Sequence, residues 1–414
     1  MPASDEARRQ TLAALRALAA DASLPEEIVA RPSAALLAAL EREGLLSHLN
    51  RDLDPASAVS EGAAAADGAL ATAVRDASRR AAQRNLAGLA TLVSVHTACA
   101  RAGIAHLAFK GPASNAALYG DRARRVYGDL DILVLRADRE RAAEALRACA
   151  FRRPAAGGTM RVFTHRIHFH AVFAPPPQTD LLPVELHWEL VDGVNLLRFD
   201  LAELFAAADT LSVAGGSVPV LDPAAHLIYL CCHLRKHDPL IRWGLRADRP
   251  AEWFCRETRG FPLAWLLDLH HFFLLAAERS SPGRAEQLVG AWNASEEVAD
   301  CVELLDRVIP SSRRSAAIAR LGVSGGVAGA RSGRLVGGLL DSPVGRAVVT
   351  RSLRLSAAGF FRPIRLLDLP RVLAPSPRRL RAFHRDARTV LPRLYARHVL
   401  AMFRRLLGLG GGQP

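Results

Sequence analysis

The sequence predicts an α+β protein in which a small mixed β-sheet is flanked by helical regions. Three observations lead to this class. The first hundred residues are rich in Ala and Leu at helical spacing, short strand patterns alternate with helical ones from Gly103, and helical spacing returns beyond Leu201. At about 100 to 200 residues per domain, a chain of 414 residues predicts two to four folding units.

The N-terminal region, residues 1–83, is predicted to be helical. Ser23-Leu-Pro-Glu26 matches a capping box with proline in the first turn, so a helix is expected to begin there and to end near Gly44. A polar stretch over residues 52–67 then precedes a long helical pattern that ends near Ala102. Gly103 follows as the residue expected at a helix C-terminus.

Residues 84–200 are predicted to form a compact α+β unit. Alternation with a period of two marks its strands, and spacing near 3.6 residues marks its helices. The predicted strands are 104–109, 126–135, 167–173 and 184–190, and the predicted helices are 113–119 and 137–149.

The rest of the chain is predicted to be a helical domain, a linker and a basic segment. Residues 201–321 show helical spacing, with one helix opened by Asp222-Pro223 and another near 265–277. Residues 322–333 are rich in Gly and Ser, which is typical of a linker. Residues 322–414 are therefore predicted to be a linker followed by a basic helical C-terminal segment.

The positive charge of the chain is concentrated at its C-terminal end. The whole sequence has 54 Lys and Arg against 41 Asp and Glu, for a net charge of +13. Residues 331–414 hold 17 arginines and three acidic residues, so the preceding part is nearly neutral. The excess of arginine predicts that this segment contacts an acidic partner, RNA or an anionic membrane surface. Its aromatic residues are not spaced as stacking platforms for single-stranded nucleic acid.

The protein is expected to be cytoplasmic. Its polar, acidic start lacks the pattern of a secretory leader, and the longest uncharged apolar stretch, residues 85–100, is shorter than the ~20 residues of a membrane helix. The six cysteines include no C-x-x-C pair and are expected to be reduced.

Residues 109–134 contain the clearest chemical signal. Asp129 and Asp131 are two apart in a predicted strand and therefore share a face, where carboxylates would suit one or two Mg²⁺ ions. Upstream, Lys110-Gly111 lies between a strand and a helix, a position that favours phosphate. Downstream, Glu185, His187 and Glu189 share one face of a further strand.

Together these motifs resemble the DNA polymerase beta-like nucleotidyltransferase superfamily, and most closely an uncharacterised branch of it. The matching features are a Phe-Lys-Gly turn, a following Tyr and Arg, an Asp-x-Asp-hydrophobic-Leu-Val strand and a Val-Glu-Leu-His-Trp strand. In this sequence they are residues 109–111, Tyr119, Arg125, residues 129–134 and residues 184–188.

The resemblance implies a polymerase-beta-like fold and an enzyme that transfers a nucleoside monophosphate from an NTP to a hydroxyl of an unidentified acceptor, with release of pyrophosphate. It implies that Asp129, Asp131 and Glu185 are catalytic and hold Mg²⁺ or Mn²⁺. It also implies that Glu185 binds the metal on the acceptor side and helps to deprotonate the attacking hydroxyl. Positioning and charge neutralisation are most of what such a transfer requires.

The resemblance also implies two further groups of residues. One group binds the nucleotide, and the other orients Glu185 or contacts the substrate. The expected nucleotide-binding residues are Lys110, Gly111, Ser114 and Arg125, and the expected supporting residues are His187 and His170.

Two alternatives stay open at this level. Pro112 stands where the superfamily usually has a Ser or Gly, so a catalytically inactive module of the same fold that binds an acidic ligand or partner is the contrasting hypothesis. His165, His168 and His170 invite a zinc interpretation, but no Cys or acidic residue lies nearby at ligand spacing. His233 and His237, one helical turn apart beside Cys232, could form a metal site, but their helix is expected to pack against the catalytic unit, with one of them reaching substrate.

Overall fold

A computed structural model describes most of the chain up to Val323. The described residues are 5–53, 68–120, 123–153, 170–191, 197–213, 216–237, 261–323, 393 and 395–396. His165, His168, the predicted linker beyond residue 323 and nearly all of the basic C-terminal segment lie outside them.

Four α-helices and one 3-10 helix form the N-terminal region. They are α1 (Asp5–Ala19), α2 (Glu26–Ala30), α3 (Ala34–Arg42), the 3-10 helix (Leu46–Leu53) and α4 (Ala69–Arg101). The predicted capping box at Ser23 does not form, because α2 has Pro25 at its N-cap with no side-chain hydrogen bond. Ser33 caps α3 instead, accepting a hydrogen bond from the amide of Leu36 at 3.1 Å.

The centre of the molecule is one six-stranded mixed sheet, which confirms the predicted α+β class. Its strands follow the order β3-β4-β2-β1-β6-β5, with parallel pairs β2/β4 and β1/β6 and the other neighbours antiparallel. The elements in chain order are β1 (His106–Phe109), α5 (Gly111–Leu118), β2 (Leu130–Val134), α6 (Arg139–Ala148), β3 (His170–Phe173), β4 (Val184–His187), α7 (Leu201–Ala206), β5 (Asp209–Val213) and β6 (Gly216–Val220).

Two of these strands lie where the sequence predicted only helix. Strands β5 and β6 form an antiparallel hairpin, and β6 joins the sheet beside β1 through Val220 and Ala108. The region predicted to be helical from Leu201 therefore contributes to the sheet. The last four residues of Asp209–Val213 alternate polar and apolar shortly before a Gly-Gly pair, a hairpin signal that the helical interpretation overlooked.

Within the described residues, five α-helices follow the hairpin. They are α8 (Pro223–His237), α9 (Ala264–Arg279), α10 (Arg284–Ala291), α11 (Ser295–Val308) and α12 (Ser312–Leu321). Asp222 starts α8, since its carboxylate accepts hydrogen bonds from the amides of Ala224 and Ala225, each at 3.1 Å. Gly322 ends α12 with a left-handed φ of 68°, which glycine adopts without a Cβ clash.

The sheet separates two apolar cores. One face, with Ala108, Ile132 and Leu186, packs on α4 and α6. The other face, with Leu107, Phe109 and Leu133, packs on the helical part of the chain. Polar side chains on this second face therefore lie between the sheet and the helices, where water is largely excluded.

No helix in the described part of the chain is both long enough and apolar enough to span a bilayer.

Candidate active site

Carboxylates and histidines from three neighbouring strands gather on the face of the sheet that meets the helices. In the parallel pair β2/β4, Asp131 is opposite Glu185, and the next row on the same face brings in His187. Across the antiparallel pair β3/β4, His170 is opposite His187. Because alternate residues of a strand point to one face, these four side chains project together.

Asp131 and His187 are the most deeply buried of these groups. The Asp131 side chain is 1% exposed, and Lys110 Nζ lies 2.6 Å from its Oδ1. His187 Nε2 lies 2.9 Å from the same oxygen. Two nitrogen donors therefore stabilise the Asp131 carboxylate through one oxygen, in a setting where an unpaired charge would be costly.

Glu185 lies at the more open edge of the cluster. Its Oε2 is 3.3 Å from His187 Nε2 and 3.8 Å from His170 Nε2. The imidazole rings of His170 and His187 stack at 4.9 Å, and Phe109 packs edge-on against the other side of His187. The ligand atoms of His170, Glu185 and His187 all lie within 4.8 Å of one another, so the group could hold a metal ion.

Lys110 and Gly111 make the turn from β1 into α5 with unusual backbone angles. Lys110 has φ 54° and ψ −157°, and Gly111 has φ 36°. Non-glycine residues rarely adopt such angles, and the cost is of order 1–3 kcal/mol. A Cβ on Gly111 would lie 3.0 Å from the carbonyl oxygen of Asp129. The turn is therefore held tightly against the start of β2.

His226 on α8 fastens this turn from the helical side. Its Nε2 accepts a hydrogen bond from the amide of Lys110 at 3.1 Å, and the hydroxyl of Ser114 lies 3.1 Å from the same nitrogen. Burial, with a smaller contribution from the Lys110 charge, lowers the pKa of His226 to about 3, so the ring is neutral and acts as an acceptor. Ser114, expected to bind nucleotide, is buried and faces His226 here.

Asp129, Glu185 and Lys110 have strongly shifted pKa values. Burial and the neighbouring charge of Asp131 raise the pKa of Asp129 to about 6. Burial alone would raise the pKa of Glu185, but the hydrogen bond with His187 and the proximity of His170 lower it to about 2. Burial acts to lower the pKa of Lys110, yet the attraction of Asp131 outweighs it and the net shift is upward. At neutral pH the site thus combines one ammonium with several carboxylates.

Helix α4 holds the segment that leads into Asp129. Arg84 donates from Nε to the carbonyl oxygen of Tyr127 at 2.9 Å and from Nη2 to that of Gly128 at 3.1 Å. The Tyr127 ring lies across Gly88, where a Cβ would be 2.4 Å from Cε2 of the ring. Because Gly88 has no side chain, the Tyr127 ring can pack closely against α4. This contact and the two hydrogen bonds from Arg84 fix the position of Gly128 and Asp129.

Tyr119 and Arg125 both contact Asp268 of helix α9. The Tyr119 hydroxyl donates to Oδ1 of Asp268 at 2.7 Å, and Arg125 Nε lies 2.6 Å from its Oδ2. Arg125, expected to bind nucleotide, is therefore engaged with the helical domain, although its charge still acts on Asp129. Sequence reasoning missed Asp268, since nothing in the pattern of α9 distinguishes it from an ordinary polar residue.

Helix α8 presents a row of polar rings along the side that faces Lys110. Tyr229, His233 and His237 are spaced four apart, so they lie on one face of the helix. The Tyr229 hydroxyl is 3.3 Å from His233 Nδ1, and the ring of His233 lies 5.1 Å from that of Trp265. The row extends from the carboxylate cluster towards α9. Glu189, also expected on the catalytic face, lies beyond the end of β4 and pairs with Arg136.

The donor set fits a hard divalent cation. Mg²⁺ prefers oxygen ligands from one or two carboxylates together with substrate phosphates. The structure places Asp131 and Glu185 on adjacent strands with Asp129 just before β2. The raised pKa of Asp129 reflects its burial and negative potential from Asp131, which a cation would relieve.

One comparison with known proteins finds a match. The sequence model of a protein family described as uncharacterised nucleotidyltransferase matches residues 30–308, about two thirds of the chain. No curated protein matches the sequence.

Proposed function

The chain belongs to the family of uncharacterised nucleotidyltransferases, and from this premise we propose that it transfers a nucleoside monophosphate from an NTP to a hydroxyl group of an acceptor. In this reaction the acceptor oxygen forms a bond to the α-phosphorus of the NTP. The bond between the α- and β-phosphates breaks, and pyrophosphate leaves.

A single observation carries the proposal. Asp131 and Glu185 are opposite each other on adjacent parallel strands, and Asp129 immediately precedes the strand that bears Asp131. The alternative use for such carboxylates is to face solvent, but Asp131 is 1% exposed. A buried carboxylate cluster on a rigid sheet supports a role in binding cations with phosphates.

We assign Asp129, Asp131 and Glu185 as ligands of Mg²⁺ or Mn²⁺. When bound, such an ion would neutralise phosphate charge and align the NTP with the acceptor hydroxyl. The low pKa of Glu185 favours its role as a charged ligand over that of a proton acceptor. Asp129, with a pKa of about 6, is largely ionised at neutral pH, as a metal ligand must be, and the proton of the acceptor hydroxyl passes to solvent.

Lys110 is proposed to neutralise first Asp131 and then the NTP phosphates. Its ammonium is 2.6 Å from Asp131 Oδ1 and its side chain is 17% exposed, so it is both paired and accessible. A flexible ammonium can exchange one anion for another, and the helix N-terminus behind it also favours phosphate. His226 supports this function by holding the Lys110 backbone in place.

Arg125 is proposed to bind the phosphates from the side opposite Lys110. It is anchored through Nε to Asp268, and its charge acts on Asp129. A guanidinium held through Nε keeps further donors for phosphate oxygens. Ser114 is proposed as a hydrogen-bond partner that holds the turn through His226, while the amide of Gly111 faces the nucleotide.

The acceptor is proposed to lie against the row of rings on α8. Tyr229 and His233 are close to the Lys110 end of the site, and burial holds the pKa of His233 well below its usual value. Neutral imidazoles and a phenol hydroxyl can exchange hydrogen bonds with a hydroxylated acceptor. We propose that the reaction takes place in the cytoplasm and that the basic segment, residues 331–414, contacts an acidic partner.

Calorimetric titration with nucleotide analogues tests the proposal. Each of the four NTPs would be supplied as an α,β-methylene analogue, which cannot release pyrophosphate, with and without Mg²⁺. We expect Mg²⁺-dependent binding that Asp129→Asn abolishes. Glu189→Gln is the matched control because this carboxylate pairs with Arg136 beyond the end of β4. Binding of no analogue, or equal binding by Asp129→Asn, would contradict the proposal.

A non-catalytic module is the second candidate, and one observation favours it. Lys110 and Ser114 direct their amide and hydroxyl to His226, and Pro112 has no amide hydrogen to offer a phosphate. Such a module would bind an acidic ligand without breaking the NTP. Mg²⁺-dependent analogue binding without pyrophosphate release from any natural NTP, across a panel of hydroxylated acceptors, would favour this candidate.

A further inference from the structure

Two histidines and a glutamate beside the carboxylate site form a cluster that Mg²⁺ binding does not account for. We propose that His170, Glu185 and His187 form a second metal site, which shares Glu185 with the carboxylate site and binds a divalent transition-metal ion, with Zn²⁺ as the best-matched ion. The ion's binding stands on this geometry alone, whereas its role in the reaction rests on the proposed function.

The distances between the ligand atoms support this assignment. Glu185 Oε2 lies 3.3 Å from His187 Nε2 and 3.8 Å from His170 Nε2. Bonds of about 2.0–2.1 Å at tetrahedral angles place neighbouring ligand atoms about 3.3 Å apart. Glu185 and His187 already have that separation, and Glu185 and His170 are wider apart, at 3.8 Å. On binding an ion, His187 Nε2 would lose the proton that it shares with Asp131 Oδ1, 2.9 Å away.

The sheet register makes the cluster a built feature of the fold. His170 and His187 are direct partners across the antiparallel pair β3/β4, and Glu185 is two residues before His187 on the same face. The stacked rings and the edge-on contact of Phe109 restrict His187. Ligands on strands that are fixed by packing need little rearrangement when an ion binds.

The ligand chemistry differs from that of the neighbouring carboxylate site. Imidazole nitrogens favour ions such as Zn²⁺ over Mg²⁺, which prefers oxygen ligands. Two imidazoles and one carboxylate leave at least one position for another ligand, as in catalytic zinc sites. Accessibility supports entry of an ion, since the His170 and Glu185 side chains are 21% and 24% exposed.

The sequence alone argued against zinc because no acidic residue lay near His170 at ligand spacing. The structure supplies Glu185 and His187 from the neighbouring strand. Under the proposed function, an ion bound to Glu185 would lie on the acceptor side, where it would lower the pKa of the attacking hydroxyl.

The test is titration of the full chain, made without a histidine tag, with Zn²⁺ by calorimetry and with Co²⁺ by visible absorption. We expect one ion per chain, with a Co²⁺ spectrum typical of four ligands that include imidazole. His170→Gln is expected to weaken binding at least about tenfold and to remove that spectrum. His96→Gln, which alters a partly exposed histidine on α4 beside the other face of the sheet, is the matched control and is expected to bind as the wild type does.

The outcomes separate this inference from the proposed function. His170 is partly exposed, so His170→Gln should fold, and thermal unfolding would verify this. Absence of Zn²⁺ and Co²⁺ binding by the wild type, or equal binding by His170→Gln, overturns the inference even if Mg²⁺-dependent nucleotide binding is found. Metal binding that requires His170 supports it, even if no nucleotide analogue binds.

Discussion

The pairing of Lys110 with Asp131 makes a quantitative prediction about stability. In Lys110→Met the ammonium is lost while the length of the side chain and its Cβ are kept, so the unusual backbone of the turn should persist. Removing one partner of a buried ion pair costs about 3–5 kcal/mol, because the other charge stays buried. His187 also contacts Asp131, at 2.9 Å, and offsets part of the loss. We therefore expect a decrease of about 3 kcal/mol in the free energy of unfolding.

A double-mutant cycle with Asp131→Asn isolates the interaction. Each single variant leaves one charge without its main partner, whereas the double variant leaves neither charge. The double variant should therefore be more stable than the sum of the single effects implies, by about 2 kcal/mol. Urea unfolding at neutral pH, followed by circular dichroism, supplies the four free energies.

Arg80→Met is the matched control for this cycle. Arg80 pairs with Glu41 at 2.8 Å, but both side chains are at least half exposed. Exposed pairs contribute little to stability, so no measurable change is expected. Additive effects of Lys110→Met and Asp131→Asn, or a Lys110→Met variant as stable as the wild type, would refute the buried pairing.

Three further predictions concern the surroundings of the site. Because the pKa of Asp129 is about 6, its carboxyl must lose a proton for an ion to bind at lower pH. Mg²⁺-dependent affinity for nucleotide should therefore fall about fivefold from pH 6 to pH 5 and level off above pH 7, and a flat calorimetric profile would argue against Asp129 as a ligand. Asp268→Asn weakens the contacts with Tyr119 and Arg125 and should lower the free energy of unfolding in urea by about 3 kcal/mol. Asp76→Asn, the control in an exposed pair, should leave it unchanged, and equal stability of the two variants would contradict this prediction. Gly88→Ala should destabilise the protein by about 1–3 kcal/mol, because the new methyl group meets the Tyr127 ring. Gly290→Ala, in open space on α10, should stabilise it slightly, and a stabilising effect of Gly88→Ala would show that the Tyr127 ring is not held against α4.

The catalytic face could be predicted because strand geometry makes it a local property of the sequence. Residues two apart in a strand share a face, so the alternation of the chain is enough to pair Asp129 with Asp131 and Glu185 with His187. The structure brings Asp131 and Glu185 together through the register of β2 and β4. The roles proposed for these residues in catalysis stay predictions until nucleotide and metal binding are measured.

Partners that come from distant helices could not be predicted. His226 lies on α8, 116 positions from Lys110, and Asp268 lies on α9, 143 positions from Arg125. Neither residue has a neighbour in sequence that shares its function, so no local pattern marks it. The hydrogen bonds that fix the Lys110 turn and Arg125 depend on how the helices pack on the sheet, which is a property of the whole fold.

Strands β5 and β6 show the opposite case, in which the local sequence contains a strand pattern but the flanking helical patterns are stronger. The last four residues of β5 alternate polar and apolar shortly before two glycines, yet the helical patterns on both sides favoured one continuous helical region. Short strands are the elements for which periodicity is weakest, since two or three alternations can occur within a helix. The cluster of His170 with Glu185 likewise required the β3/β4 register, which periodicity does not reveal.

The proposed function depends above all on Asp129, Asp131 and Glu185 holding the ion that accompanies a nucleotide. A crystal structure with an α,β-methylene NTP analogue and Mn²⁺, with anomalous scattering recorded at the manganese edge, tests this most directly. We expect a manganese peak in contact with carboxylate oxygens of these three residues and with the phosphates, and Lys110 turned from Asp131 to a phosphate oxygen. A nucleotide bound elsewhere, or bound here with no manganese on the carboxylates, would contradict the assignment.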